Sequence, residues 1–242
     1  SYNKGDTIFV IPTIVNVTTI RRNTQKKETL QFIDNTTRDL SSNGQLALML
    51  CCLHSKRKWY WDTFNHTKKD FHWNLWNWSS KDVQTLKKDP ISYHGYINYR
   101  SKLNRDYIGF GEFYVQYYAM FGKSPYRNSS KKTFQDRCML LRMVVTSRGF
   151  GSPDGISLVP LLDMMNHGFG HTCNVTWNYE GNGTFIATAN KDIKSGEELL
   201  DSYGDTKQYY EYAFYYGFLP RKNKNNPITV SYTHLRAHET ES

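Results

Sequence analysis

The sequence lacks several features that would assign it to common protein classes. No apolar run approaches the length needed to span a bilayer, which argues against a membrane protein. The chain begins at Ser1 without a basic and then apolar leader, so we expect either a processed chain or a fragment. The four cysteines have no paired spacing that would predict a disulfide framework. Together these absences predict an intracellular protein, in the cytoplasm or the nucleus.

The composition favours a globular fold with an aromatic core. Only 38% of the 242 residues are hydrophobic, but 15% are aromatic, and aromatic side chains bury large areas. The formal net charge is +9, and the basic residues are spread along the chain instead of forming one stripe. This spread favours a solvated surface, although a basic nucleic-acid-binding domain stays an alternative. We expect a monomer.

Three short motifs follow one another in the second half of the chain. An apolar run ends in residues 163–167 (DMMNH), residues 196–204 (GEELLDSYG) come next, and residues 216–218 (YGF) close the set. Each motif alone is common. Their order, their spacing and the β-hairpin predicted between the first two are specific only in combination.

This combination resembles the carboxy-terminal half of a SET-domain protein methyltransferase. It is most similar to the branch that includes the Rubisco large-subunit lysine methyltransferase and its actin-histidine-methylating relatives. Residues 147–150 (SRGF) and residues 4–12 (KGDTIFVIP), which look like the second strand of the SET amino-terminal part, support the match. The resemblance implies an α+β fold with a SET-type β core of short sheets, a threaded carboxy-terminal segment (a pseudoknot) and a mainly helical insertion.

The resemblance also implies a division of the chain. Residues 1–20 would end the amino-terminal SET part, residues 21–147 would form the helical insertion, and residues 148–219 would form the carboxy-terminal SET part. The family's first strand, with its Gly-x-Gly turn, and its helical substrate-binding domain are expected to lie outside this sequence. Residues 220–242 would be a tail, in which residues 231–242 (SYTHLRAHETES) look like translated cloning sequence instead of native chain.

The cofactor implied by the resemblance is S-adenosylmethionine (AdoMet). In that family the Asn of the Asn-His motif holds the amino-acid end of AdoMet, and the His backbone meets the adenine. The candidate cofactor-binding residues are therefore Arg148, Asp163, Met164, Met165, Asn166, His167, Tyr216, Gly217 and Phe218. The two-pronged guanidinium of Arg148 suits a carboxylate. A purely structural role stays open for Asp163, as a cap of a neighbouring amide, and for Phe218, as a core residue.

Tyr203 is the candidate catalytic residue, because it matches the family tyrosine whose hydroxyl lies near the transferring methyl group. A phenol titrates near 10, so it suits orienting an amine better than removing its proton. The resemblance implies a methyltransferase that acts on a lysine of a protein substrate. A histidine N-methyltransferase of the same fold and a catalytically inactive SET-like interaction module stay alternatives.

No metal site is predicted. His167, His171 and Cys173 are close in sequence, but zinc normally takes four ligands, and no Cys-x-Cys follows the tyrosine motif.

Hydrophobic periodicity and turn residues predict the remaining elements. The first part of the chain is predicted to contain a strand over 7–12, a polar loop with short helical pieces over 16–39, an amphipathic helix opening at Asn43-Gly44 with basic residues 56–58 at its end, and aromatic packing over 59–78. The middle part is predicted to contain a capped helix from Ser79 ended by Pro90, two helices over 91–121 broken near residues 109–111, and a helix over 134–146. The last part is predicted to contain strands over 156–162, 173–179, 184–189 and 198–203, and a helix over 208–216 stopped at Gly217.

Overall fold

The strands of the protein are short and form small sheets. The computed structural model describes residues 1–12, 14–53, 71–153, 155–180 and 183–220. Its strands are β1 (Thr7–Ile11), β2 (Gly149–Ser152), β3 (Gly155–Leu158), β4 (Asn166–His167), β5 (Val175–Tyr179), β6 (Phe185–Ala189) and β7 (Leu200–Asp201). Strands β1, β6 and β5 form one sheet in that order, β2 pairs with β3, and β4 pairs with β7. The strand predicted over 7–12 and the antiparallel pair β5–β6 are thus confirmed, while turn residues 181 and 182 lie outside the described residues.

The β5–β6 pair buries one face and exposes the other. Val175 is buried and the next residue, Thr176, is exposed, while Phe185 and Ala187 of β6 are buried. This period of two is what a strand gives when only one side of its sheet meets the core. The buried face packs with Val159 and Leu162 into a core separate from that of the helices.

The helices lie mainly between β1 and β2. They are α1 (Val17–Asn23), α2 (Lys27–Thr36), α3 (Ser42–Leu53), α4 (Ser80–Leu86), α5 (Pro90–Phe121), α6 (Lys131–Arg148) and α7 (Tyr209–Tyr216). Helices α1 and α2 occupy most of the region predicted as a loop with short helical pieces. The mixture of helices and small sheets confirms the predicted α+β class. None of the helices within the described ranges has both the length and the apolar character of a bilayer span.

Helix α3 is buried on all sides, so the predicted amphipathic character is wrong. The consecutive residues Leu46, Ala47, Leu48 and Met49 point in different directions around the helix, yet each is at most 1% exposed. The helix begins at Ser42, and the Ser41 hydroxyl accepts a hydrogen bond from the Gly44 amide at 3.0 Å, so the predicted cap at Asn43 is also wrong. The predicted basic end over 56–58 lies outside the described residues.

Helix α5 runs unbroken for 32 residues, so the predicted break near residues 109–111 is wrong. A Cβ atom on Gly109 would lie 2.6 Å from Leu40, and one on Gly111 would lie 2.5 Å from Gln135. These two glycines therefore let neighbouring segments approach the helix closely. A glycine in sequence does not distinguish a helix break from such a close contact.

Helix α4 begins as predicted but ends earlier. Ser79 and Asp82 form a capping box, in which the Asp82 carboxylate accepts the Ser79 amide at 2.8 Å. The helix ends at Leu86, and Pro90 is the first residue of α5 instead of the end of α4. Proline suits this position because the first helical turn does not use its backbone N–H groups.

A buried ion pair joins three helices. The Arg142 Nε atom of α6 donates to Asp106 Oδ2 of α5 at 2.8 Å. Asp106 also accepts hydrogen bonds from the Ser41 amide at 2.9 Å and the Ser41 hydroxyl at 2.6 Å, at the start of α3. The negative charge of Asp106 is thus compensated within the helical part by the Arg142 guanidinium and by hydrogen bonds from Ser41.

The chain bends sharply between β3 and β4. The strand predicted over 156–162 ends at Leu158, and Leu162–Met164 forms a turn of 3-10 helix. Leu161 has a φ of 72°, a left-handed conformation that is strained for a leucine. The strand predicted over 198–203 is also shorter and covers only Leu200–Asp201.

The first two motifs of the sequence, residues 163–167 and 196–204, lie side by side. Strands β4 and β7 pair in parallel, with Asn166 opposite Leu200 and His167 opposite Asp201. The Gly168 amide extends this pairing by donating to the Asp201 carbonyl at 2.7 Å. The β5–β6 hairpin occupies the sequence between the two strands, so residues far apart in sequence become neighbours.

Candidate active site

Residues of all three motifs line a cavity of about 500 Å³, called the larger cavity below. Its wall is formed by Phe71, Trp73, Ser147, Arg148, Asp163, Met164, Met165, Asn166, His167, Tyr203, Tyr216 and Phe218. Tyr203 and every candidate cofactor residue except Gly217 therefore lie in one wall. The family role of each residue stays a prediction at this point.

Asn174 fixes the strands that carry the site. Its side chain is 4% exposed, accepts a hydrogen bond from the Leu200 amide at 2.7 Å, and donates to the Glu198 carbonyl at 2.8 Å. A buried amide with both ends satisfied orders the backbone that it bridges. Asn174 thereby holds the segment leading into β7 and Tyr203 against the hairpin, a role that the sequence did not reveal.

The imidazole of His167 is held as a neutral ring with a defined tautomer. Its Nδ1 atom lies 3.0 Å from the Tyr203 amide and 3.3 Å from the Asp201 carbonyl. Because the amide can only donate, Nδ1 is the acceptor and the proton lies on Nε2. Burial lowers the pKa of His167, which favours the neutral form. Nε2 is buried, and no described atom lies within hydrogen-bonding distance of it.

Tyr203 is fixed at both its backbone and its side chain. Its hydroxyl donates to the Met165 carbonyl at 2.6 Å, and its ring stacks on His167 with the ring centroids 5.1 Å apart. Burial, with a further contribution from the negative charge of Asp201, raises the pKa of Tyr203. The phenol is therefore neutral near pH 7, its proton points at Met165, and its lone pairs can accept from a bound group.

Glu198 orients the side chain of Asn166. The Asn166 amide nitrogen donates to Glu198 Oε1 at 2.6 Å. This contact directs the NH₂ end toward Glu198 and leaves the carbonyl oxygen as an acceptor for a ligand. The sequence motif contained Glu198, but its contact with Asn166 depends on the pairing of β4 with β7.

Arg148 braces the turn that precedes β4. Its Nη1 atom donates to the Asp163 carbonyl at 3.0 Å and contacts the Met164 sulfur at 3.3 Å. The Asp163 residue is itself buried at 8% exposure. The guanidinium thus lies in the wall of the larger cavity, where five donor hydrogens in a fixed fork suit a planar anion.

Gly217 and the aromatic residues around it close one end of the larger cavity. Gly217 ends α7 with a φ of +80°, and a Cβ atom there would lie 2.3 Å from the Trp73 ring. It therefore permits close packing against Trp73 and does not itself line the cavity. The Phe218 ring that follows lies 6.0 Å from the His167 ring. Phe71 and Trp73 belong to the segment interpreted as aromatic packing, so sequence reasoning missed their exposure to the cavity, as it missed Ser147.

A second cavity of about 280 Å³, called the smaller cavity, adjoins the larger one. It is lined by Ser147, Arg148, Gly149, Phe150, Gly151, Leu162, Asp163, Met165, Trp177, Asp201, Ser202, Tyr203, Gly204, Lys207 and Tyr216. The residues common to both walls are Ser147, Arg148, Asp163, Met165, Tyr203 and Tyr216. Tyr203 therefore faces both cavities from the wall that separates them.

Asp201 is, like Asp163, a buried acidic residue in the wall of the smaller cavity. The residue is 4% exposed, and its Oδ1 atom accepts the Ser202 amide at 2.7 Å. Burial raises the pKa of Asp201 from its ordinary 3.8 to about 6, and hydrogen bonds from the Ser202 backbone and the Trp177 side chain oppose the rise. The carboxylate is thus mainly ionised at neutral pH despite the cost of burial.

His171 and Cys173 do not form part of a metal cluster in the described part of the chain, where no group of three His, Cys, Asp or Glu side chains is placed to hold a metal ion. The Cys173 thiol instead contacts the Val175 carbonyl at 3.3 Å. Burial raises the pKa of Cys173, which favours the uncharged thiol.

Comparison with solved structures finds similar folds. The structure of Rubisco LSMT bound to AdoMet superposes with a TM-score of 0.66 at 15% identity, covering 99% of this chain and 55% of that one. The SET domain of LSMT bound to lysine and AdoHcy gives a TM-score of 0.63 at 14% identity, covering 90% of this chain and 48% of that one. LSMT bound to sinefungin and monomethyllysine gives 0.63 at 16% identity, covering 91% and 48%. The chain therefore spans about half the length of these proteins.

Comparison with sequences gives one family. No curated protein sequence matches the chain. The family model described as SET domain matches residues 1–204, which include the Asn-His motif and Tyr203. On this match, the chain belongs to the SET domain family.

Proposed function

We propose that the protein is an AdoMet-dependent protein-lysine methyltransferase of the Rubisco LSMT-like branch. The observation that carries the proposal is the wall that the two cavities share, with Tyr203 and Tyr216 in it. Direct methyl transfer needs a donor and an acceptor that meet in line through a narrow opening, each held from its own side. Holding both reactants in one geometry supplies a large part of the rate enhancement in such reactions.

The larger cavity fits AdoMet in size and in polar groups. Its volume of about 500 Å³ lies in the range of roughly 300–1,000 Å³ that small-molecule cofactors occupy. The buried Nε2–H of His167 and the carbonyl oxygen of Asn166 offer a donor and an acceptor in its wall. The Phe218 ring offers an apolar surface to an adenine, and the Arg148 guanidinium suits a carboxylate. Bound there, AdoMet would supply a methyl group carried on an electrophilic sulfonium.

Tyr203 would orient the acceptor without removing its proton. Because the Tyr203 hydroxyl donates to the Met165 carbonyl, its oxygen lone pairs are left to accept from an incoming amine. The raised pKa of Tyr203 keeps the phenol neutral and makes it a poor base. A fixed oxygen that accepts an N–H of the amine favours the geometry in which the lone pair of the amine nitrogen faces the methyl group.

The smaller cavity would receive the substrate side chain. Its walls include the aromatic rings of Phe150, Trp177, Tyr203 and Tyr216, which suit a narrow aliphatic chain that ends in an amine. A desolvated amine near a positive sulfonium has a lowered pKa, which supplies free amine near neutral pH. Lysine as the acceptor is further supported by the similar structures, which hold lysine and monomethyllysine. The activity is proposed for the whole protein, because the chain spans about half of those relatives.

Calorimetric titration with S-adenosylhomocysteine (AdoHcy) tests the cofactor part of this proposal. We expect saturable binding with one site per chain, and at least a tenfold loss in Asn166→Ala, since about 1.4 kcal/mol corresponds to one strong hydrogen bond. Asn178→Ala serves as the matched control, because Asn178 lies on the exposed face of the hairpin. Absence of AdoHcy binding would contradict the proposal and favour an inactive SET-like interaction module.

A further inference from the structure

The smaller cavity contains a buried carboxylate without a cation beside it. Asp201 is 4% exposed, and no Lys or Arg in the described part of the chain forms an ion pair with it. Its hydrogen-bond partners are the neutral Ser202 amide and the neutral Trp177 side chain. Buried charges in proteins are normally paired, because desolvation of a lone charge is costly. Asp201 is therefore a buried carboxylate without a cationic partner in the described part of the chain.

The cations that line the smaller cavity are engaged elsewhere. The Lys207 ammonium donates to the Tyr203 carbonyl at 2.6 Å, and Arg148 donates to the Asp163 carbonyl at 3.0 Å. Neither side chain forms an ion pair with Asp201 in the structure. A cation that neutralises Asp201 would thus come from a ligand in the cavity.

The rings beside Asp201 suit an organic cation. Trp177 lies against both the carboxylate and the Phe150 ring, whose centroid is 5.2 Å from its own. On the shared wall, the Tyr203 and Tyr216 rings are 4.6 Å apart. Aromatic faces attract ammonium and methylated ammonium groups, and the attraction strengthens when water is excluded. A carboxylate set among such rings distinguishes a charged from a neutral group of the same shape.

We propose that Asp201 is a specificity-determining residue, which makes the smaller cavity selective for substrates that enter as cations, namely lysine and its methylated forms. This inference rests on the proposed function, because it takes the smaller cavity as the substrate site. A neutral imidazole or a neutral aliphatic chain gains no ionic partner there. The ammonium releases its proton to water before the transfer, a step that the positive sulfonium favours and the Asp201 carboxylate opposes.

The test compares ligands that share a backbone and an aliphatic side chain but differ in whether that side chain ends in a cation, on the AdoHcy-loaded protein. The probes are the Nα-acetyl methylamides of lysine, of Nε-trimethyllysine and of norleucine, which is the neutral analogue. We expect both cationic probes to bind the wild type about tenfold or more tightly than the norleucine probe. In Asp201→Asn this preference should fall to about threefold or less, while the AdoHcy affinity changes by less than about twofold. Equal binding of the three probes by the wild type, or an unchanged preference in the variant, would overturn the proposal.

A second measurement uses the wild type alone and covers the case in which the variant does not fold. The trimethyllysine probe carries a permanent charge, so a change of its affinity with pH reports on the protein. Between about pH 7.5 and pH 5 we expect its affinity to fall at least threefold while that of norleucine stays constant. A flat profile would contradict the role of Asp201. Failure of AdoHcy to bind at all would instead contradict the proposed function, which distinguishes the two.

Discussion

Asp106 and Asp201 are both buried carboxylates, one in the helical part and one in the candidate site, but they have different partners. Asp106 is 0% exposed and accepts from the Arg142 guanidinium and twice from Ser41. Asp201 is 4% exposed, has neutral partners, and has a pKa raised to about 6. The helical part thus neutralises its own buried charge, whereas the site leaves one for a ligand.

The two regions also differ in what holds their backbones. The helical part packs apolar side chains around α3, which is buried on all sides. The site depends on two-residue strands supported by side chains such as Asn174 and His167. The geometry of the site therefore depends on specific hydrogen bonds in addition to the aromatic packing around His167.

The largest effect is expected from Asp106→Asn, which leaves the Arg142 charge buried without its partner. We expect the free energy of unfolding to fall by about 3–5 kcal/mol at pH 8, as for other broken buried ion pairs. Denaturant titration measures the change. The double variant Asp106→Asn with Arg142→Met, which removes both charges, should recover most of the loss. A single variant as stable as the wild type would show that the pair does not hold the helices together.

Tyr203→Phe should reduce turnover with little effect on cofactor binding. Loss of the oriented hydroxyl should lower kcat about 10²-fold or more, by analogy with the removal of one preorganised transition-state contact. AdoHcy affinity should change by less than about twofold, because the ring and its stacking on His167 remain. Parallel kinetics and calorimetry measure both quantities, and an equal loss in the two would argue against a role in the transition state.

Asp201→Asn, the same substitution at the other carboxylate, should not destabilise the free protein. Because the folded state raises the pKa of Asp201 from 3.8 to about 6, its contribution to stability is present below 3.8 and is lost as the pH rises through 6. At pH 8 the variant should therefore be more stable by up to about 3 kcal/mol, and the difference should vanish near pH 3. His167, with its lowered pKa, adds an opposite slope that is common to both proteins and cancels. If Asp201→Asn instead lost about 3–5 kcal/mol of stability at pH 8, as expected for Asp106→Asn, the contrast between the two carboxylates would be contradicted.

The smallest effect is expected from Glu198→Gln, which weakens the contact that orients Asn166. Replacing a charged acceptor by a neutral one should weaken AdoHcy binding by about two- to fivefold, or roughly 0.5–1 kcal/mol. Glu197→Gln is the matched control, since the Glu197 carboxylate accepts from the Lys194 amide and does not contact Asn166. The same change of affinity in both variants would assign the effect to net charge.

Residues of the larger cavity could be identified from the sequence, because short motifs carry them. Asn166, His167 and Tyr203 were predicted in this way, and the β4–β7 pairing brings them together. The smaller cavity was not predicted. Asp201 lies inside the second motif but reads as an ordinary strand residue, and its lack of a cation depends on everything packed around it.

Tertiary packing also explains the errors in the helical part. The glycines of α5 suggested a break because glycine weakens a helix. Their actual role, close contact with Leu40 and Gln135, was not visible because those residues are distant in sequence. The all-round burial of α3 depends on helices that surround it, which periodicity along one segment does not reveal. Local capping signals, such as Ser79 with Asp82, were predicted correctly because both partners lie within one turn.

The most direct test of the proposed function is transfer of labelled methyl groups from AdoMet to peptides that carry either lysine or histidine, followed by mass spectrometry of the modified residue. The proposed lysine methyltransferase should place label on the lysine Nε atom, about 10²-fold less label with Tyr203→Phe, and none on histidine. Label on histidine, or a protein that binds AdoHcy and transfers no methyl group to any lysine peptide or protein extract, would contradict it.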